Sequence, residues 1–385
     1  TAAQELLQRC SAAGADAYRD ADYDLAYVLW LLGRVLKSGG LAEAALQPLS
    51  EAQQRFQTLA DHGNQSAANM ASTAITEAGD CLRDLGRLDA AANAYQNAIQ
   101  RDEKRGNVRN VATRKFQLGT VRLLQERYAD ALQVYQSARD SFERLGEPGS
   151  VTTAWHQIGR VYQETGNFDA AEAAYRKGLA IRVQQKNLRG QASSLTALGT
   201  LYNDMGRLEE AAAFSRQAAD IYAQAGDLAK EGLCRSNIAD MLIKLRHFDE
   251  ARTEVLRAIE CKKPFGHAAT PWKAWMILHN LEQATGNLEA AARARGQAIQ
   301  TYEAYRRAGG ESQTTVAQLC ALIQEGNTAE AQTMLADYLK QDIPPYARAA
   351  FVALQAILSG SRDPALTNSP ALSYGDVVEL RLLLE

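Results

Sequence analysis

The stretch Gly166-Asn-Phe-Asp-Ala-Ala171 decides the fold, because related stretches recur along the chain at a fixed step. An earlier copy, Gly39-Gly-Leu-Ala-Glu-Ala44, lies 47 residues before Gly86, and every later step is 40 residues. A fixed period of this size is typical of a repeat protein, here with eight units. The seven later copies begin at Gly86, Glu126, Gly166, Gly206, Arg246, Gly286 and Gly326.

Each unit is predicted to be a helix hairpin. The glycine that begins the stretch suits the end of a first helix, since glycine readily adopts a positive φ. Asp169 then lies in the first turn of a second helix, where the helix dipole favours an acid. Another glycine recurs inside the first helix, where it costs about 1 kcal/mol relative to alanine. We therefore expect a close approach of the paired second helix at Gly79, Gly119, Gly159 and Gly199.

These residues carry a resemblance to a known family. Trp155, Ile158-Gly159 and Tyr162 in the first helix, with Gly166, Phe168, Ala171, Tyr175 and Gly178 after it, resemble the tetratricopeptide repeat. The resemblance covers about residues 20–340, but the period is 40 instead of the family's 34 and the usual closing proline is missing from most copies. The longer repeats are similar to those of kinesin light chain, of the mitotic polarity adaptor, and of bacterial signalling ATPases and caspase-like proteases.

The predicted fold is therefore all-α, a right-handed α-solenoid of about eight helix-turn-helix units with terminal capping helices. We expect residues 1–20 to form a leading helix, 21–340 the array, and 341–385 a capping helix, a loop and a final apolar helix at Val377–Leu384. The chain begins at Thr1 without methionine and ends in Leu-Leu-Leu-Glu. We expect it to be a piece of a longer polypeptide.

Composition argues against several classes of protein. The 42 basic and 45 acidic residues give a net charge of −3, which is too balanced to attract nucleic acid or an anionic membrane by bulk charge. The sequence has no apolar run of the roughly 18–20 residues that a membrane-spanning helix needs, and no secretion signal. The five cysteines are dispersed without a C-x-x-C pair, which favours reduced thiols and a cytoplasmic location over a disulfide framework or a zinc site.

The sequence carries no recognisable active-site motif. Nucleotide-binding, nucleophile-elbow and zinc-protease patterns are absent, and the five histidines are scattered. We therefore predict no catalytic residue, no metal site, no cofactor and no enzyme activity. One basic cluster, interrupted by Asp102 and Glu103, is interpreted as a solvated loop in preference to a nucleic-acid or acidic-partner site. Its members are Arg101, Lys104, Arg105, Arg109, Arg114 and Lys115.

The candidate binding site consists of polar residues on the first helices. In a stacked array these helices line the concave side, and here they carry hydroxyls and amides where a solvated face would favour lysine and glutamate. Amides donate and accept hydrogen bonds together, which suits the backbone of an extended peptide. Phe116 would serve as an apolar anchor. The candidate residues are Phe116, Gln117, Thr120, His156, Gln157, Arg160, Thr200, Asn203, Asn237 and Asp240.

The resemblance implies a non-catalytic scaffold that binds a protein or peptide segment. In the resembling families an asparagine just before the Leu-Gly pair contacts bound peptide, and Asn237 matches that slot, whereas Ala197 and Ile277 depart from it. The alternative is a ligand-sensing module of a larger bacterial signalling ATPase or caspase-like protease, with the effector domain outside this chain. Ordinary polar lining without a partner is the third interpretation.

Overall fold

The computed structural model describes residues 20–385, together with the isolated positions Glu5, Gln8 and Ala12. The predicted leading helix over residues 1–20 falls on positions that, apart from those three and Asp20, lie outside the described residues. Between residues 20 and 385 all regular structure is helical, with 18 α-helices, two 3₁₀ helices and no strand. The predicted all-α fold of helix hairpins is confirmed.

The first compact unit ends at Gly190. Successive helices along the chain pack against one another in it, as the repeat pattern predicts. Four hairpins make up its described part, and their helices are α1 (Ala21–Ser38), α2 (Ala42–Asp61), α3 (Gln65–Asp84), α4 (Leu88–Lys104), α5 (Val108–Leu124), α6 (Tyr128–Arg144), α7 (Pro148–Glu164) and α8 (Phe168–Gln184).

The second compact unit begins at Gln191, inside the first turn of α9 (Leu188–Asp204). A 3₁₀ segment at Lys263–Ala269 precedes α13, and another at Pro364–Thr367 precedes the last helix. The other helices of this unit are α10 (Leu208–Gln224), α11 (Leu228–Lys244), α12 (Phe248–Lys262), α13 (Pro271–Ala284), α14 (Leu288–Arg307), α15 (Thr315–Gln324), α16 (Thr328–Leu339), α17 (Pro345–Leu358) and α18 (Tyr374–Leu384).

The period of 40 has a simple geometric origin. From α4 to α11 every helix has 17 residues, and three residues separate each helix from the next. Two such helices with their two turns make up one repeat. Equivalent side chains therefore return to equivalent places every 40 residues.

The turns share one backbone conformation. Gly166 has a φ of 72°, its N–H bonds the carbonyl of Gln163 at 3.0 Å, and the N–H of Asn167 bonds the carbonyl of Tyr162 at 2.8 Å. This left-handed residue satisfies carbonyls at the helix end that would otherwise lack partners. The same conformation recurs every 20 residues from Gly86 to Arg246, so both turns of a repeat use it. Three of these positions are not glycine, namely Glu126, Lys186 and Arg246.

The glycines inside the first helices receive tyrosine rings from the second helices, as expected from the sequence. A Cβ built on Gly159 would lie 2.5 Å from Cε1 of Tyr175, and one on Gly119 would lie 2.7 Å from the same atom of Tyr135. The corresponding distance at Gly79 and Tyr95 is 3.1 Å. The glycine column therefore exists because any side chain there would overlap a buried ring.

Each of these tyrosines also hydrogen-bonds back to its first helix. The Tyr95 hydroxyl donates to Oδ1 of Asp80 at 2.5 Å. The Tyr135 hydroxyl donates to Oγ1 of Thr120 at 3.0 Å, and that of Tyr175 to Oε1 of Gln163 at 2.8 Å. Asp80 and Thr120 directly follow their glycines, whereas Gln163 lies one helical turn after Gly159. Ring and hydroxyl together fix the register of the two helices.

The basic cluster around the α4–α5 turn is not the solvated loop that the sequence predicted. Arg114 is only 4% exposed, and its Nη1 lies 2.8 Å from Oδ2 of the fully buried Asp102. Arg105 contacts the same carboxylate. Burial lowers the pKa of Arg114, with the charge of Asp102 opposing that shift. The prediction was wrong because the interrupting acid, treated as surface, is the internal partner of the basic residues.

The apolar C-terminal segment packs into the core of the second unit. Val377, Val378 and Leu380 of α18 are buried, and Glu379 forms an ion pair with Arg306 of α14 at 2.8 Å. The final helix predicted at Val377–Leu384 begins earlier, at Tyr374, because Ser373 and Asp376 form a capping box. The hydrophobicity of this segment is therefore explained by its packing within the unit.

Replacing Glu126 by glycine should stabilise the protein. A non-glycine residue is strained in the left-handed conformation, and relief of that strain outweighs the greater flexibility of an unfolded glycine by about 0.5–1 kcal/mol. The measurement is the urea midpoint followed by circular dichroism. Glu126→Ala is the control and should bring no gain; an equal gain in both variants would contradict the account of the turn.

Replacing Gly159 by alanine should destabilise the protein by about 1–3 kcal/mol, although alanine is the better helix former. The new methyl group would overlap the buried ring of Tyr175. Gly149→Ala is the matched control, since a Cβ there meets nothing within 4 Å among the described residues. Thermal denaturation should show a lower melting temperature for Gly159→Ala alone; equal melting temperatures for the two variants would refute the packing role of the glycine column.

Candidate functional site

The candidate residues on α5 are engaged within the first unit. The Phe116 ring packs edge-on against Tyr135, with centroids 5.2 Å apart. Gln117 donates from Nε2 to Oδ1 of Asp80 at 3.3 Å, and Thr120 accepts the hydrogen bond of Tyr135. Phe116 thus contributes to the core at the hairpin, and the predicted role of an apolar anchor has no support from its packing.

The candidate residues on α7 differ in their exposure. His156 is partly buried, and its ring centroid lies 5.4 Å from that of Tyr175. Burial, with the charges of Arg182 and Arg160, lowers the pKa of His156 to about 4, so the imidazole is neutral at pH 7. Arg160 is exposed, with one guanidinium nitrogen 3.5 Å from Oε1 of Gln157. This part of the first unit presents mainly Arg160 to solvent.

The four remaining candidates come together in one cleft of the second unit. Thr200 and Asn203 lie on α9, and Asn237 and Asp240 lie on α11. The cleft has a volume of about 270 Å³. Its lining residues are Gly199, Thr200, Asn203, Ser215, Ser236, Asn237, Asp240, Met241 and Ile277.

The cleft is present where the tyrosine column is interrupted. Ser215 occupies the repeat position that holds Tyr95, Tyr135 and Tyr175 in the three preceding units. The neighbouring position on the first helix changes as well, because Thr196 stands where Phe116 and His156 stand one and two repeats earlier. A serine fills far less space than a tyrosine, so the surface of α9 beside Gly199 is left open. Gly199 itself remains close to its partner helix, since a Cβ there would lie 2.5 Å from Oγ of Ser215.

The polar groups of the cleft are only partly used inside the protein. Thr200 donates from Oγ1 to its own helix at the carbonyl of Thr196, at 3.1 Å, and Asp240 pairs with Lys244 at 2.8 Å. The side chains of Asn203 and Asn237 make no hydrogen bond to any other residue of the described region. Each amide can therefore both donate to and accept from a ligand.

Sequence reasoning selected the polar side chains of the cleft and missed the residue that creates it. Ser215, together with Ser236, Met241 and Ile277, was not among the candidates. The break at position 215 was readable in the sequence, because the tyrosine column runs at a 40-residue step and stops there. Met241 is buried and Ile277 half-buried, and they make one side of the cleft apolar.

The cysteines belong to the packing. Cys81, Cys234, Cys261 and Cys320 are free and buried, whereas Cys10 lies outside the described residues. Burial raises the pKa of Cys81 to about 11, which keeps its thiol protonated at neutral pH. Across the described residues, no three acidic, histidine or cysteine side chains lie close enough to hold a metal ion. None of the described helices is long and apolar enough to cross a membrane.

Comparison with known proteins identifies the repeat. A family model for the tetratricopeptide repeat matches residues 69–144, 110–184 and 150–224. These overlapping matches cover the region from α3 to α10 in which helices and turns have their regular lengths. Tetratricopeptide repeats are generally non-catalytic scaffold elements.

Solved structures show the same fold at low sequence identity. A signal transduction ATPase of the STAND class from Pyrococcus horikoshii, which has a tetratricopeptide repeat sensor, matches with a TM-score of 0.60 and 15% identity. The match covers 74% of this chain, and the chain spans only 43% of the length of that protein.

Two smaller proteins match over most of their own length. BtubC from P. vanneervenii matches with a TM-score of 0.50 and 21% identity, covering 58% of this chain and 90% of that one. The apo form of RapI matches with a TM-score of 0.50 and 12% identity, covering 73% of this chain and 99% of that one. Helix hairpins with a 40-residue period, the family match and these structures lead to one conclusion: the chain contains an array of tetratricopeptide repeats.

Proposed function

We propose that the protein is a non-catalytic binding module that holds an extended peptide segment of a partner protein in the cleft of its second unit. One observation carries the proposal. Four polar side chains that the sequence selected as a binding surface line a single cleft, and two of them, Asn203 and Asn237, keep their hydrogen-bonding groups free of other described residues.

The chemistry of the cleft supports a peptide as the ligand. Asn237, Thr200 and Asn203 offer donors and acceptors to the alternating N–H and C=O groups of an extended backbone. Met241 and Ile277 add apolar surface for a side chain. The described candidate residues include no nucleophile paired with a base, so binding without chemistry is the function that these groups favour. The dispersed free thiols fit a cytoplasmic protein.

A second candidate function is a sensor module attached to an effector domain. The observation that favours it is the match to the STAND protein, whose repeats are described as a sensor and which extends well beyond the matched region. In that case the same cleft would bind the signal, and binding would be coupled to an enzyme elsewhere in a longer polypeptide. Both functions require that the cleft binds a ligand.

Peptides selected from a random phage-displayed library on the immobilised protein provide the test. The double variant Asn203→Ala/Asn237→Ala should bind the selected peptides about ten- to a hundred-fold more weakly. Two amides making two or three hydrogen bonds contribute about 0.5–1.5 kcal/mol for each bond, and 1.4 kcal/mol corresponds to tenfold. Affinity is measured by fluorescence polarisation of labelled peptides.

The matched control is Gln217→Ala/Gln224→Ala, which removes two exposed amides from α10 in the same unit. This control should bind the peptides like the unmodified protein, and both double variants should keep their helical signal and melting temperature. Unchanged affinity in the folded Asn203→Ala/Asn237→Ala variant would move the binding site away from the cleft.

A further inference from the structure

We propose that the cleft beside Gly199 is a pocket for the side chain of an unphosphorylated tyrosine in the bound peptide. The inference rests on the proposed peptide-binding function and specifies the ligand. It is derived from the contrast between this repeat and the three preceding ones.

The protein itself shows how such a site binds a phenol. At Gly119 and Gly159 a tyrosine ring lies against the bare backbone of the first helix, within 3.0 Å of where a Cβ would be. The hydroxyl of that ring bonds a polar side chain on the same helix, either Thr120, directly after the glycine, or Gln163, four residues after it. Glycine together with one of these two acceptors makes up the internal tyrosine site.

All parts of that site except the tyrosine are present at the fifth repeat. Gly199 supplies the bare backbone, Thr200 stands at the position of Thr120, and Asn203 stands at the position of Gln163. Ser215 replaces the tyrosine and leaves the ring position open. A tyrosine from a peptide can therefore lie on Gly199 and donate its hydroxyl to Thr200 or Asn203, as the internal tyrosines do at their own repeats.

The size and lining of the cleft fit one aromatic side chain. Its volume of about 270 Å³ is below the roughly 300–1,000 Å³ of pockets for drug-sized ligands. The Met241 thioether supplies an apolar wall, and sulfur–aromatic contacts are favourable. The lining residues include the carboxylate of Asp240 and no lysine or arginine. A phosphotyrosine would therefore bring its negative charge to a site without a cation, and phosphorylation should prevent binding.

The experiment uses p-cresol, which is the side chain of tyrosine, as the probe in ligand-observed NMR titrations of the full chain. We expect a dissociation constant of about 1 mM, in the range usual for a ligand of eight heavy atoms. Ser215→Tyr, which restores the internal tyrosine, should weaken this binding at least tenfold without lowering the melting temperature. Gln217→Tyr is the matched control, since it adds the same side chain at an exposed position of α10 and should leave binding unchanged.

A second variant covers the case in which Ser215→Tyr does not fold. Gly199→Ala places a methyl group where the ring would lie and also weakens p-cresol binding at least tenfold. It contacts only the Ser215 hydroxyl at less than 3 Å, and a χ1 rotation can move that hydroxyl. A third variant, Thr200→Val/Asn203→Leu, should abolish the preference for p-cresol over toluene, because it removes both hydroxyl partners.

Several results would overturn the inference. They are undiminished p-cresol binding in folded Ser215→Tyr or Gly199→Ala, absence of p-cresol binding to the unmodified protein, or equal binding of p-tolyl phosphate. If the selected peptides still lose affinity in Asn203→Ala/Asn237→Ala while p-cresol fails to bind, the tyrosine pocket is wrong and the peptide-binding function stands. If neither p-cresol nor the peptides respond to their variants, both proposals are wrong.

Discussion

The contact between a glycine of the first helix and a tyrosine of the second is the constraint on which the rest of the regular repeats depends. Because Gly119 and Gly159 have no side chain, the rings of Tyr135 and Tyr175 lie directly on the helix backbone. The ring holds the two helices close together, and its hydroxyl fixes their register through one hydrogen bond. Each hairpin is thereby determined by one pair of residues 16 positions apart.

The same constraint explains how a binding cleft can arise without a change of fold. Helix lengths and turns stay constant from the third to the fifth hairpin, so the backbone at Gly199 is prepared for a tyrosine that the chain does not supply. Replacement of that tyrosine by Ser215 opens the surface of α9, while the hairpin remains closed through its other contacts. A repeat architecture thus permits one unit to exchange internal packing for ligand binding.

The fold could be predicted from the sequence because a period of 40 multiplies each weak signal by the number of copies. Turn glycines, helix-interior glycines and tyrosines were all identifiable by their recurrence. The site was less accessible, because exposure depends on individual exceptions to the pattern. Phe116 and His156 were chosen for their position in the first helix, yet their rings pack against tyrosines of the second helix. Arg114 was assigned to a loop because sequence alone does not show that Asp102 is buried beside it.

The measurement that tests this account most directly is a crystal structure of the protein soaked with p-cresol. The account predicts a ring lying flat on the backbone of Gly199, with its hydroxyl within hydrogen-bond distance of Thr200 or Asn203. It also predicts that Gly119 and Gly159 remain covered by Tyr135 and Tyr175 and take up no ligand. A cleft at Gly199 that is closed by Ser215 and its neighbours, or p-cresol bound only elsewhere, would contradict the account.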